Sequence, residues 1–218
     1  MYGRNNYMKW QQIPLGPLQT NCYIVENPDK TCLIIDPGEE GKKLIHLLNQ
    51  RKLKPIAILL THAHFDHIGA VDVVRDTYKI PVYIHKLEEK WLEDPRLNGS
   101  QLFMGIEPIV ALPADHLIHN EGKMNIGEFT FQVFYTPGHS PGSVSYYFEE
   151  NAVIISGDAL FQGGIGRTDL PGGNSGQLMK SIHDKLLSLP EETYVLSGHG
   201  PVTTIGEEMD SNPFLNGF

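Results

Sequence analysis

The chain has 218 residues, 40% hydrophobic and 20% charged side chains and a formal net charge of −9, which suits one domain spanning 1–218 and leaves no room for two large lobes. The acidic balance, without a cluster of Lys and Arg, argues against nucleic acid as a partner, and no apolar run approaches a membrane span. The polar stretch Met1 to Met8 has no apolar core of a secretory signal, so the expected location is cytoplasmic, with residues 1–7 as a disordered extension.

Residues 21–26 and 31–35 are β-rich runs separated by Asn27-Pro28-Asp29, which predicts a hairpin. Cys22 and Cys32 lie in these two runs, outside any Cys-x-x-Cys pair, and are read as reduced, packed thiols. Residues 39–51 carry Leu44, Ile45, Leu47 and Leu48 at helical spacing, with Lys42, Lys43, Arg51, Lys52 and Lys54 on the solvated face and end. The apolar run Ile56 to Leu60 predicts a buried strand, followed by a helix over 69–78 and a short strand over 81–84. Residues 86–127 are irregular and are expected to form a short helix plus loops that overhang a site. Strand patterns return at 129–135, 143–148 and 152–155, then a helix at about 175–188 and a last strand at 194–196. Mixed strands with helices between them predict two packed sheets covered by helices, an α+β arrangement.

Directly after the 56–60 run stands Thr61-His62-Ala63-His64-Phe65-Asp66-His67. In extended backbone, side chains two apart point the same way, so His62 and His64 can reach one ion together. Asp66 and His67 fall where the chain turns into the next helix and can face a second ion. Three later segments repeat one design, a β run, a glycine turn and then a candidate ligand: Gly138-His139, Gly157-Asp158 and Gly198-His199. Seven candidates result: His62, His64, Asp66, His67, His139, Asp158 and His199. One tetrahedral zinc needs four ligands at most, whereas two divalent ions sharing a carboxylate would use all seven. Imidazole with carboxylate suits Zn²⁺ best, with Fe or Mn as alternatives.

These motifs in this order resemble the metallo-β-lactamase superfamily over residues 12–205. Asp36-Pro37-Gly38, Thr136-Pro137-Gly138-His139-Ser140-Pro141-Gly142-Ser143 and Gly166-Arg167-Thr168-Asp169 are similar, more narrowly, to its glyoxalase II-like branch. The resemblance implies a four-layer αββα sandwich with the site along one edge of the two sheets. It implies a first metal on His62, His64 and His139, a second on Asp66, His67 and His199, a bridge at Asp158 and a supporting role for Asp36. Asp36 as a plain turn residue is an equally weighted reading. Glyoxalase II enzymes add a helical C-terminal domain with glutathione contacts, and only 19 residues follow His199 here, so glutathione recognition is not implied.

The chemistry expected of two Lewis-acidic ions is a water ionised near neutral pH and a polarised carbonyl, with Asp66 and Asp158 orienting the nucleophile. A small 2-hydroxyacyl thioester fits, because a thiol departs with little proton assistance. Arg167 is the candidate for pairing with a substrate carboxylate, against the alternative that it ties down its own loop through Asp169. An iron-dependent persulfide dioxygenase and a lactonase or other ester hydrolase are the competing activities.

Overall fold

The computed structural model describes residues 8–215, so the expected N-terminal extension lies outside the described residues. The first sheet contains β1 (Lys9–Leu15), β2 (Thr20–Glu26), β3 (Thr31–Ile35), β4 (Lys54–Leu59), β5 (Val82–His85) and β6 (His116–Ile118), side by side in that order. The hairpin expected at Asn27-Pro28-Asp29 forms, pairing β2 with β3 antiparallel, while β3 to β6 run parallel. The second sheet begins with β7 (Gly122–Ile126), β8 (Phe129–Tyr135), β9 (Val144–Phe148) and β10 (Val153–Gly157). A two-stranded ribbon, β11 (Leu160–Phe161) with β12 (Gly164–Ile165), precedes β13 (Tyr194–Ser197) and β14 (Thr203–Thr204), and the sheet order is β14-β13-β10-β9-β8-β7. Helices α1 (Gly41–Gln50), α2 (Phe65–Ile68) and α3 (Val71–Tyr78) belong to the first half, α4 (Ser175–Ser181) and α5 (Ile205–Ser211) to the second.

The layering follows from the strand period of two. On β2 and β3, Cys22, Ile24, Cys32 and Ile34 pack with Leu44 and Leu48 of α1 and Val71 and Val74 of α3. The alternate residues Tyr23, Val25, Leu33 and Ile35 face Phe131, Tyr146 and Phe148 of the other sheet. Ile154 and Val195 turn outward onto Leu178 of α4 and Ile205 of α5. Strands buried on both faces read as near-continuous apolar runs, and β2 is buried along its whole length. The result is the four-layer αββα sandwich. Both cysteines are free and buried.

Several elements differ from the sequence expectations. β1 carries Gln11, Gln12 and Pro14 among its apolar residues and pairs only with β2, an edge position that tolerates proline. β6 and β7 lie in the segment read as loops; β6 is only three residues long and β7 is a polar edge strand. The helix expected over 175–188 is α-helical to Ser181 and then widens into a π turn over Ile182–Leu186. β14 and α5 follow β13, where the sequence pattern places the last strand.

Phe131 is 2% exposed and its ring meets Tyr146 at 5.7 Å and Phe148 at 5.2 Å. Phe131→Ala removes that contact from the layer between the sheets and should cost about 3–5 kcal/mol in urea unfolding. A loss below about 1 kcal/mol would mean that the two sheets can repack without it.

Candidate metal centre

The seven candidate ligands meet along one edge of the two packed sheets, where the strands β4, β8, β10 and β13 that precede them end. β3 and β4 are parallel neighbours, so Asp36 after β3 lies beside Thr61 after β4. Asp36 is 1% exposed and adopts a left-handed φ of 51°, uncommon for a residue with a side chain. Its carboxylate accepts the Thr61 N–H at 2.8 Å, the Thr61 hydroxyl at 2.5 Å and His67 Nδ1–H at 2.9 Å. Asp36 is therefore more than a turn residue: it clamps both ends of the His62–His67 loop. On the other sheet, β10 and β13 are parallel neighbours, which sets Asp158 beside His199. Gly198 makes this approach feasible, since a Cβ there would sit 2.0 Å from Asp158 Oδ1.

Three groups of donor atoms result. His62, His64 and His139 form one, and Asp66, His67 and His199 form another. The third, Asp36 with His62 and His67, shares its members with the loop clamp. Asp158 stands between the first two: its carboxylate lies 3.3 Å from His67 Nε2, 3.6 Å from His139 Nε2 and 3.5 Å from His199 Nε2. Asp66 Oδ2 lies 3.2 Å from His199 Nε2 and accepts the Thr20 hydroxyl at 2.7 Å.

The outward nitrogens of four rings are already committed. His139 Nδ1–H donates to the Arg167 carbonyl at 2.8 Å and His199 Nδ1–H to the Leu18 carbonyl at 3.2 Å. The Thr61 hydroxyl gives its proton to Asp36, so it accepts from His62 Nδ1–H at 3.0 Å. With His67 on Asp36, all four rings hold Nε2 toward the centre, the arrangement expected of imidazole ligands fixed by an outer partner. His64 is turned the other way, with Nδ1 2.8 Å from His139 Nε2. Buried His62 Nε2 has no hydrogen-bond partner, and His67 Nε2 and Asp158 Oδ1 face each other at 3.3 Å as a charge contact without well-aligned hydrogen-bond geometry. Buried polar atoms are rarely left so, and a cation at the centre would satisfy all three. The residues fit a metal.

The charges agree. Burial pushes His62 well below the ordinary imidazole range, assisted by neighbouring His67 and His139. Burial and His139 bring His64 down to about 3. Burial alone would depress His67 too, but Asp66, Asp158 and Asp36 outweigh it and raise it. Burial opposes ionisation of Asp66 and Asp158, yet His67 holds both carboxyls below their ordinary value. In the metal-free chain the proton on His67 supplies positive charge that ions would bring.

A cavity of about 360 Å³ opens over the cluster, walled by Leu18, Phe65, Phe103, Phe161 and Ile165. Arg167 also lines it, with its guanidinium in a bidentate pair to Asp169 at 2.7 and 2.8 Å. The remaining histidines stay apart. His85 stacks on Tyr135 and lines a separate cavity, His116 stacks on Tyr83, and His46, His119 and His183 are exposed. Trp10 packs against Tyr194, and Trp91 is buried beside His64. Residues that touch the ligand loops without a sequence signal include Thr20, just before the 21–26 run, and Glu88 and Asn98 in the irregular segment.

A model of the metallo-β-lactamase superfamily matches residues 15–199. The chain belongs to this superfamily. It is 59% identical to the probable metallo-hydrolase YqgX of Bacillus subtilis (strain 168) over 97% of this chain and 99% of that one. It is 38% identical to the hydroxyacylglutathione hydrolase GloC of Haemophilus influenzae (strain ATCC 51907 / DSM 11121 / KW20 / Rd), covering 96% and 99%. Among solved structures, the BLEG-1 B3 metallo-β-lactamase superposes with a TM-score of 0.94 at 62% identity, covering 96% of this chain and 100% of that one. TTHA1623 in a di-iron-bound form gives 0.84 at 45% identity, covering 94% and 100%. The expected fold and superfamily are thus both found.

The His64 shift makes an acid limb testable. Its ordinary value is 6.5 and its folded, metal-free value about 3. Between them the unfolded chain binds the extra proton, so stability falls as pH drops through that window. Urea unfolding of metal-free protein should show this slope. His64→Gln should reduce it without abolishing it, because His62 is depressed as well. An unchanged slope in His64→Gln would refute the assignment.

Proposed function

We propose that the chain is a cytoplasmic metal-dependent hydrolase of a small 2-hydroxyacyl thioester. His62, His64 and His139 would hold one divalent ion and Asp66, His67 and His199 a second, with Asp158 shared. The supporting observation is the position of Asp158, whose one carboxylate faces rings from both groups. Zinc suits this donor set, and so do iron and manganese; the similar TTHA1623 is described in a di-iron-bound form. Bound ions would supply the Lewis acidity that activates water and polarises the substrate carbonyl.

The chain's own side chains set the rest. Asp66, fixed by the Thr20 hydroxyl, and Asp158 can each accept a hydrogen bond from the attacking water and so aim its lone pair at the carbonyl carbon. The apolar walls Leu18, Phe65, Phe103, Phe161 and Ile165 exclude bulk water and favour the aliphatic parts of a substrate. Every titratable group lining this cavity, Arg167 aside, belongs to the ligand set. No further acid is therefore at hand among the described residues to protonate a departing amine, whereas a thiolate leaves without one. Arg167 lies at the rim in an exposed pair with Asp169, a pairing weak enough for a substrate carboxylate to replace.

The resemblance to a protein described as a B3 metallo-β-lactamase favours one second reading, hydrolysis of a β-lactam amide by the same attack. Purified protein assayed anaerobically with S-lactoylglutathione, beside a cephalosporin and beside oxygen uptake on glutathione persulfide, separates these activities. Thioester cleavage is expected without oxygen. Oxygen consumption at an enzyme-like rate with no thioester cleavage would overturn the proposal in favour of a persulfide dioxygenase.

Two variants check the assignments. Wild type should carry two metal equivalents, and Asp158→Ala should lose most of one and nearly all activity; a fully active Asp158→Ala protein would defeat the shared-ligand role. Arg167→Met should raise KM for an anionic thioester while shifting stability by no more than about 1 kcal/mol, the ceiling for an exposed pair. Unchanged KM with a marked loss of stability would instead assign Arg167 to its loop.

A further inference from the structure

Glu88 sits in a 3₁₀ turn, Lys86–Trp91, directly after β5 and far in sequence from every candidate ligand. Its carboxylate is 0% exposed. A buried carboxylate is costly unless its lone pairs are satisfied, and this one is satisfied entirely by the two loops that carry the first ligand group. Oε2 accepts the Ala63 N–H at 2.6 Å, and Ala63 is the residue between His62 and His64. Oε1 accepts the Ser140 hydroxyl at 2.5 Å and the Gly142 N–H at 2.8 Å, in the loop that begins with His139. Position 142 is shaped to admit the side chain: a Cβ there would lie 2.8 Å from Glu88 Cγ and 3.1 Å from Oε1.

The first sheet presents His62 and His64 and the second presents His139; Val144 N–H bonds the Thr61 carbonyl at 2.9 Å beside His62, while Glu88 joins the residue between His62 and His64 to the loop after His139. We propose that Glu88 is a positioning residue of the first metal site, a single carboxylate that ties the His62–His64 loop to the His139 loop across the two sheets. The second group has separate supports, Asp36 on His67, Thr20 on Asp66 and Leu18 on His199. Loss of Glu88 should therefore act on one site and spare the other.

Glu88→Gln tests this with little change in volume. If the amide oxygen stays on Ser140 and Gly142, its NH₂ faces the Ala63 N–H, two donors with no acceptor between them, and the His62–His64 loop must shift. Zn²⁺ affinity is read by chelator competition on metal-free protein, with His139→Ala and His199→Ala defining which step of the titration belongs to which group. Glu88→Gln should weaken the His62/His64/His139 step about 10- to 100-fold, the usual effect of losing an outer partner of metal ligands, and leave the other step unchanged. Both steps unchanged would overturn the proposal. So would both falling together with the stability of the metal-free protein, since a general packing role predicts that. Should Glu88→Gln not fold, Ser140→Ala removes one donor and keeps the carboxylate. It should weaken the same step selectively by a smaller factor, and an unselective or absent effect again overturns the role. The inference rests on the metal reading above. Wild-type uptake of metal tests that reading, and the difference between variant and wild type tests Glu88.

Discussion

The centre of this molecule requires positive charge. Asp66 and Asp158 converge with five imidazoles, while the outer nitrogens of four rings are committed to hydrogen bonds elsewhere. Those bonds leave four Nε2 atoms facing the centre, and in the metal-free chain His64 Nδ1–H can donate to one of them, His139 Nε2, at 2.8 Å. Without a metal ion, protons on the imidazoles are what balance the two carboxylates. The raised pKa of His67 and the lowered ones of Asp66 and Asp158 are both consequences of that demand. Metal binding would displace such protons, coupling affinity to pH.

Holding such a cluster together is a backbone problem before it is a chemical one. Buried charges are tolerated only where geometry and hydrogen bonds are both good, and parallel strands provide the geometry by ending at a common edge. β3 with β4 and β10 with β13 do so in their respective sheets. The layer between the sheets, with Tyr23, Phe131, Tyr146 and Phe148, fixes the distance between these two edges. Tyr23 and Tyr146 also reach out of that layer, donating to the carbonyls of Ser197 and Leu60, one at each edge. The same rings that hold the sheets apart thus register the ligand-bearing strand ends.

The ligands were legible in the sequence because each is defined locally. A strand run, a glycine and a His or Asp can be read within a few residues, and the spacing from His62 to His67 carries both sides of the cluster. Strand runs with helices between them made two packed sheets legible, while the four-layer order was implied by the family resemblance. The supports were not legible because they are long-range. Thr20 reaches Asp66 across 46 positions, and Glu88 reaches Ser140 across 52, with no periodicity or turn chemistry linking either pair. Asp36 was only half legible: Asp36-Pro37-Gly38 marks a turn, but its three donors come from Thr61 and His67. β6 and β7 escaped because a three-residue strand and a polar edge strand are stabilised by their neighbours rather than by their own pattern.

Reactivity and selectivity are consequently carried by different parts of the chain. The ligands are locked to strand ends and to one another, so their positions cannot change without disturbing both sheets. Apart from Phe65, which stands between His64 and Asp66, the walls of the cavity come from connecting segments: Leu18 between β1 and β2, Phe103 after a short 3₁₀ turn, and Phe161 and Ile165 on the β11–β12 ribbon. Phe103 and Leu18 are 37% and 48% exposed, so replacing either alters the shape of the cavity while leaving every bond that orients a ligand in place. Leu18 and Arg167 touch both roles, each through a carbonyl that receives a ligand's Nδ1–H, from His199 and His139 respectively, whatever side chain stands there. A site built this way can change what it admits without changing how it reacts, which is the general relation between a fold and the functions grafted onto it.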